Sequence, residues 1–388
     1  MNIFNTIKKK STTVYPEFIL DPSKIFSNDK INNIKKEIDI IIPIYNCFEY
    51  LEGLFNSILT NTDLPYKLFV VDDKSSDIRV KNLLKKYKDI FRNSMILYEN
   101  KQNLGFIGTV NFALSQTTKD VVILNTDVLL PKNWASRLLN PIFTNEQVAS
   151  VTPISNSATL LSLPKIWCDN NININDCSKI DSMLSQFCIE GNPLCNLPTG
   201  VGFCMAMSRC AIDKIGYFDP IFGRGYGEEN DWCMRALNHS FINTFVWNMF
   251  VFHKHGASFN SEEKKLLIKK NSEILVSKHK EYFKLVSDTV NSNIFLSIRF
   301  LIELFYYNSI SLSSNIFFQE NSKKIKKVSD NILQIIIEHQ NNDFCKVNFC
   351  FGDYKNYIFV HTENLFSFLS IFNKFSFNKI YFGYRYFN

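Results

Sequence analysis

Three stretches of this 388-residue chain carry carboxylates where an α/β sheet could use them. "VVDDKSSD" holds Asp72 and Asp73, "VVILNTDVLLP" holds Asp127, and "GRGYGEENDWCMRA" holds Glu228, Glu229 and Asp231. The first two follow short apolar runs, and the third lies between a glycine-rich turn and a helical pattern. Asp is a good turn residue, so any one of them would fit a strand that simply ends in a turn. Three in order, each at a strand end or helix entrance, point to one crevice at the carboxyl edge of an open sheet, where such sheets bind ligands. "VFHKHGASF" adds His253 and His255, alternating with Lys254 after an apolar run.

The elements that must position these groups follow a regular succession. "IDIIIPI" (38–44) is an apolar run of the kind buried on both faces of a sheet. Phe48, Leu51, Leu54, Phe55 and Ile58 then recur at helical spacing, with Asn46 as the expected N-cap. Strands are expected at 66–73, 94–100 and 119–127, with helices at 75–90 and 103–117 between them, the second entered through Gly105. Strand and helix in alternation predict right-handed crossovers and a mostly parallel, Rossmann-like sheet flanked by helices. Beyond it come a helix at 131–143, a strand at 148–155, and a polar, Asn-rich loop at 163–196 with a helix near 179–188. A strand then a helix occupy 200–218, and one or two late strands fill 241–253. The domains read as a lead-in at 1–37, a catalytic domain at 38–284, and a mixed extension at 285–388. The extension is expected to hold helices at 291–308 and 320–339, then a hairpin at 345–362 turning at Gly352-Asp353.

Hydrophobic residues at 46% and charged residues at 21% suit a globular protein with a large core. A net charge of +6, with no basic stripe interleaved with aromatics, argues against a nucleic-acid partner. Short basic clusters such as Lys323, Lys324, Lys326 and Lys327 would suit peripheral contact with anionic lipid. The ten cysteines show no Cys-x-x-Cys pair and no zinc spacing, which fits a reduced, cytoplasmic setting. The N-terminus lacks the features of a secretory signal. "NIFLSIRFLIELFYY" (293–307) is interrupted by Arg299 and Glu303, so it reads as an amphipathic or buried helix and no transmembrane segment is expected.

"IIPIYN", "VVDDKSSD", "NLGFIGTVNFAL", "VILNTDVLLP", "GYGEENDWCMRA" and "VFHKHGASF" occur in the order found in family 2 glycosyltransferases of the GT-A fold. The chain resembles that family over roughly residues 38–260, and "TPISNSATLLSLP" is similar to a segment of its bacterial surface-polysaccharide members. The resemblance implies an inverting, hexosyltransferase-type enzyme using a nucleotide-diphosphate sugar and a divalent ion, Mn²⁺ or Mg²⁺. The acceptor would be a glycan or lipid-linked glycan, at the cytoplasmic face of a membrane. Pro43 and Tyr45 would close around the base, with Asp72 or Asp73 accepting a hydrogen bond from it, and Asn103, Gly105 and Asn111 would lie in the donor-binding segment. Asp127 matches the last Asp of the family's DxD motif. Its first position is Asn125 here, followed by Thr126, so metal binding should lean on the diphosphate and further ligands. His253 and His255 are the candidates; Mn²⁺ tolerates imidazole better than Mg²⁺ does.

Glu229 matches the family's general base, which removes the acceptor hydroxyl proton. Asp231 and Glu228 are its rivals, although a carboxylate there also complements a helix dipole, a use assigned more readily to Asp231. Arg224 reads as a surface charge, and Trp232 and Trp247 as core. Two other classes stay in view. A sugar-phosphate nucleotidyltransferase would want a basic, glycine-rich loop after the first strand, which "PIYNCFEY" is not. A non-catalytic nucleotide-sugar-binding relative would explain the missing first Asp, but not the retained "GEEND" carboxylates.

Overall fold

The computed structural model describes residues 16–25, 36–187, 195–254, 261–320, 331–340, 343–374 and 377–382. The chain forms two compact units, one of residues 30–172 and 194–286, the other of residues 1–29, 173–193 and 287–388. The sequence reading cut the chain at 37/38 and 284/285. The observed grouping instead gathers the chain's start, a short internal stretch and its end into a single unit.

The first unit is built on strands β1 (Ile38–Ile44), β2 (Tyr66–Asp72), β3 (Met95–Glu99), β4 (Val121–Leu124), β5 (Val128–Leu129), β6 (Val148–Ser155), β7 (Cys204–Met207) and β8 (Ile242–His253). Helices α1 (Phe48–Asn61), α2 (Ile78–Phe91) and α3 (Gly105–Gln116) link the first four strands, as parallel pairing requires. The sheet order is β3-β2-β1-β4-β7-β6-β8-β5. Pairing is parallel from β3 through β4, antiparallel at β7, parallel again between β6 and β8, and antiparallel at the short β5. Helices α4 (Trp134–Thr144), α5 (Ile174–Leu184), α6 (Arg209–Ile215) and α7 (Glu228–Asn238) follow in the chain, α5 belonging to the second unit. Helices α8 (Ser261–Lys278) and α9 (Tyr282–Val290) come after β8.

The apolar runs bury as their composition demands: Ile38, Ile40, Ile41, Ile42 and Ile44 of β1 are all fully buried. Leu51, Leu54, Phe55 and Ile58 form the buried stripe of α1 at the expected spacing. Asn46 is not its N-cap. That position falls to Cys47, which makes no side-chain cap bond. The Asn46 amide oxygen instead accepts from the backbone N–H of Ser76 and Asp77 at 3.0 and 3.2 Å, tying the end of β1 to the start of α2. The internal helix covers 174–184 rather than 179–188, and the late apolar stretch is one continuous strand.

The second unit holds helix α10 (Asn293–Ile310), strands β9 (Ser313–Glu320), β10 (Ile332–His339), β11 (Phe344–Phe351) and β12 (Tyr354–His361), helix α11 (Leu365–Ser370) and strand β13 (Phe377–Phe382). The strands form a second sheet, ordered β12-β11-β10-β9-β13. Helix α10 is buried along most of its length, and its two charges pair internally, Arg299 to Glu303 at 2.7 Å. Tyr354 and Asn356 donate to the other Glu303 oxygen, so the buried carboxylate is fully supplied with partners. The hairpin turns at Gly352-Asp353, where Gly352 has φ 56. Of the helix expected at 320–339, residues 321–330 lie outside the described residues, and the described part is not helical: 313–320 and 332–339 are neighbouring parallel strands. Ile335, Ile336 and Ile337 are β-branched residues that pack well on a pleated surface, and that preference wins over the helical spacing.

Candidate active site

The carboxyl edge of β1 and β2 is a knot of hydrogen bonds. Asp72 is buried, and its carboxylate accepts from the Ser75 N–H at 2.9 Å. The Asp73 carboxylate accepts from the N–H groups of Leu104 and Gly105 at 2.7 and 2.9 Å and from the Asn100 amide at 2.8 Å. It therefore satisfies N–H groups at the start of α3 that have no partner within the helix. Asn103 closes the same turn, donating to the Asp73 carbonyl and accepting from the Gly105 N–H, both at 3.2 Å. Pro43 is half-buried beside Val71, while Tyr45 is 45% exposed at the rim. Asn111 points elsewhere, clamping the backbone N–H and carbonyl of Phe218 at 3.0 and 2.8 Å.

Asn125, Thr126 and Asp127 turn the chain from β4 into β5, anchored by the Asn125 N–H on the Phe203 carbonyl at 2.9 Å. Strand β5 pairs Val128 with His253, which brings Asp127 Oδ1 to 3.5 Å from His253 Nε2. The Nδ1 of His253 lies 2.8 Å from the Ser157 carbonyl, which can only accept, so Nδ1 carries a proton. In the neutral ring Nε2 then presents its lone pair toward the carboxylate, the tautomer that metal-ligating histidines use. Asn156 fixes the His253 backbone by two reciprocal bonds of 2.8 Å, and Phe203 stacks on its ring with centroids 4.9 Å apart. A carboxylate oxygen and an imidazole nitrogen so held fit a divalent cation. Among the described residues no group of three or more His, Cys, Asp or Glu could hold one. His255 lies outside the described residues.

The glycine-rich turn completes the arrangement. Gly105 sits against Arg224, and its φ of 72 is one that a side chain there would strain. The Glu228 carboxyl lies beside Gly225, whose φ of 127 is one that side chains rarely adopt. Glu228 is buried, and one of its oxygens has no partner. Burial and the adjacent Glu229 push the Glu228 carboxyl well above the usual carboxylate range. Glu229 is also raised by burial, while hydrogen bonds from backbone N–H groups and from Glu228 counter that rise. The pair is one in which Glu228 holds the proton and Glu229 accepts it. Tyr226 is pushed up to about 12 by burial and by the charges of Glu228, Glu229 and Asp127. One phenol thus lies within electrostatic reach of the acids from both the β4 turn and α7.

Asp231 does not join them. Its carboxylate is fully buried and receives Arg235 at 2.9 Å, Lys278 at 2.7 Å and His279 at 2.9 Å. It lies in the first turn of α7, where a negative charge complements the helix dipole as expected, and is the centre of an ionic cluster. Trp232 and Trp247 are core residues, as expected.

Residues 39–216 match the family model described as Glycosyl transferase family 2. This segment belongs to that family. The family 2 segment supplies β1 through α6, and the sheet is the mostly parallel, helix-flanked sheet of the GT-A fold. An uncharacterized glycosyltransferase of Mycoplasma genitalium is 29% identical over 105 residues, covering 26% of this chain and 35% of that protein. The chondroitin synthase of Pasteurella multocida is 24% identical over 223 residues, covering 52% of this chain and 23% of that protein. The chain thus spans about a third or less of these relatives' lengths. The mannosyltransferase PcManGT from Pyrobaculum calidifontis, solved with GDP-Man and Mn²⁺, is similar with a TM-score of 0.49 at 14% identity, covering 79% of each chain. Around the family 2 segment, sequence reasoning missed Tyr226, the Asn156 and Ser157 support of His253, and the pairing of Glu228 with Glu229. "SNS" and "GYGEE" were visible, but each role depends on partners far away in sequence.

Proposed function

We propose that this chain is a metal-dependent, inverting glycosyltransferase of the hexosyltransferase type. It moves a sugar from a nucleotide-diphosphate donor to a hydroxyl of a glycan or lipid-linked glycan, in the synthesis of a bacterial surface polysaccharide. The observation that carries the reading is Asp127 Oδ1 held 3.5 Å from His253 Nε2, supported by the buried Glu228 and Glu229 carboxyls, which with Asp127 act on Tyr226. Asp127 and His253 would hold Mn²⁺ or Mg²⁺, which when bound neutralises charge on the leaving diphosphate. Tyr45 at the rim and the turn of Asn103 and Gly105 flank the donor, and Asn125 and Thr126 shape its floor. Asp73 serves the donor by fixing that turn, and Asp72 or Asp73 accepts a hydrogen bond from the base. Glu229 takes the acceptor hydroxyl proton as the new bond forms, with inversion because it acts from the face opposite the leaving group. The enzyme works in the cytoplasm, at the inner face of the membrane; among the described residues no helix is long and apolar enough to cross one.

The test is a screen of nucleotide-sugars with Mn²⁺, reading nucleoside diphosphate release. Glu229→Gln should cut release by at least about 10²-fold, the lower range for loss of a general base. Turnover in that variant equal to the wild type would remove Glu229 from the role.

A further inference from the structure

Helix α8 lies outside the family 2 segment, yet it holds the turn that carries the acids. Asn271, Leu275 and Lys278 follow one another at intervals of four and three, one stripe of a helix, and His279 comes directly after. Leu275 packs into the core, and Asn271 is 2% exposed. The Asn271 Nδ2 donates to the carbonyls of Phe222, Gly225 and Tyr226 at 2.8, 2.7 and 2.9 Å. Only a nitrogen can face three carbonyls, so the amide has one orientation. Its oxygen is left buried without a partner, a cost that an apolar side chain would avoid.

The turn needs such a hold. Gly223, Gly225, Tyr226 and Gly227 have φ of 68, 127, 68 and 109. A tyrosine in the left-handed region persists only where its surroundings fix it. Farther along the stripe, Lys278 binds Asp219 at 2.6 Å and Asp231 at 2.7 Å, and His279 binds Asp231 at 2.9 Å. The two ends of the stretch from 219 to 231 are thereby held to the same helix as its middle.

We propose that Asn271 is a positioning residue for sugar transfer, gathering three carbonyls so that the turn holds Tyr226, Glu228 and Glu229 in one arrangement. The inference rests on the function proposed above. Asn271→Asp keeps the shape but sets a carboxylate against the carbonyls, and Asn271→Ala removes the donor. Both should lower kcat by about 10- to 100-fold, the scale of a catalytic group displaced by an ångström. Affinity for Mn²⁺ with UDP or GDP should stay within about two-fold, because the lost contact serves the transition state and not nucleotide binding. Backbone amides from 223 to 229 should exchange with solvent faster than in wild type, while Ser272→Ala on the same helix behaves as wild type. Unchanged kcat, or kcat, nucleotide affinity and Tm falling together, would overturn the proposal. If Asn271→Asp does not fold, the Ala variant carries the test. Wild-type protein that turns over no nucleotide-sugar would sink the functional reading instead, and the exchange comparison would still decide whether Asn271 holds the turn.

Discussion

Glu228 and Asp231 lie within one turn of the same helix, are both buried, and have opposite electrostatics. Glu228 shares its surroundings with another carboxyl, and its proton is held well above the usual range. Asp231 has Arg235, Lys278 and His279 on it, and is held below that range. Burial is therefore not what separates a reactive acid from a structural one; the charge of the neighbours is. A desolvated pair of like charges keeps a proton in play, as general-base chemistry requires, whereas a carboxylate surrounded by cations is locked in one state. The first arrangement lies against the glycine-rich turn at Gly225 and Gly227, and the second lies against the end of the helix that braces it.

The comparison breaks first at Asp231. Asp231→Ala leaves Arg235 and Lys278 without their buried counter-charge, and should lower the unfolding free energy by about 3–5 kcal/mol in denaturant titrations. A loss below about 1 kcal/mol, the level of a surface pair, would mean that the cluster is not structural.

A smaller effect, of opposite sign with pH, is expected at Glu228. A carboxyl whose folded pKa is depressed, as for Asp231, contributes stability above its unfolded value of about 4 and loses it as pH falls through the folded value. A carboxyl whose folded pKa is raised, as for Glu228, binds its proton more tightly when folded. Stability then falls as pH rises from about 4 toward the folded value. Glu228→Gln should therefore gain stability relative to wild type as pH is raised from 4 to 7 in thermal melts. A constant difference across that range would show that Glu228 ionises normally in the folded protein.

Much of the parallel half of the sheet was legible from sequence. Residues 38–44 and 148–155 form strands with the expected bounds, because a short apolar run between polar turns has few other ways to be buried. The order of acids along the chain also raised the expectation that Asp127 and Glu229 share a crevice. Individual roles were harder to read, because they depend on contacts remote in sequence. Asp72 or Asp73 was expected to accept a hydrogen bond from the base, and nothing in the sequence showed that Asp73 also satisfies N–H groups 31 and 32 residues away. Asn111 looked like a donor contact and proved to be a clamp on Phe218, 107 residues on. Asp231 differs from Glu229 through Arg235 one turn on and through Lys278 and His279, far down the chain. In the second unit, the stretch at 320–339 was misjudged because its isoleucines suit both helical and strand periods; a neighbouring parallel strand decides the matter.

Calorimetric titration of UDP and GDP into the protein, with and without Mn²⁺, tests the central claim most directly. The account predicts that a diphosphate binds only when the ion is present. Binding should be lost in Asp127→Ala and kept within about two-fold in Glu229→Gln, whose role begins only with the acceptor. Binding that needs no metal, or that survives Asp127→Ala unchanged, would contradict it.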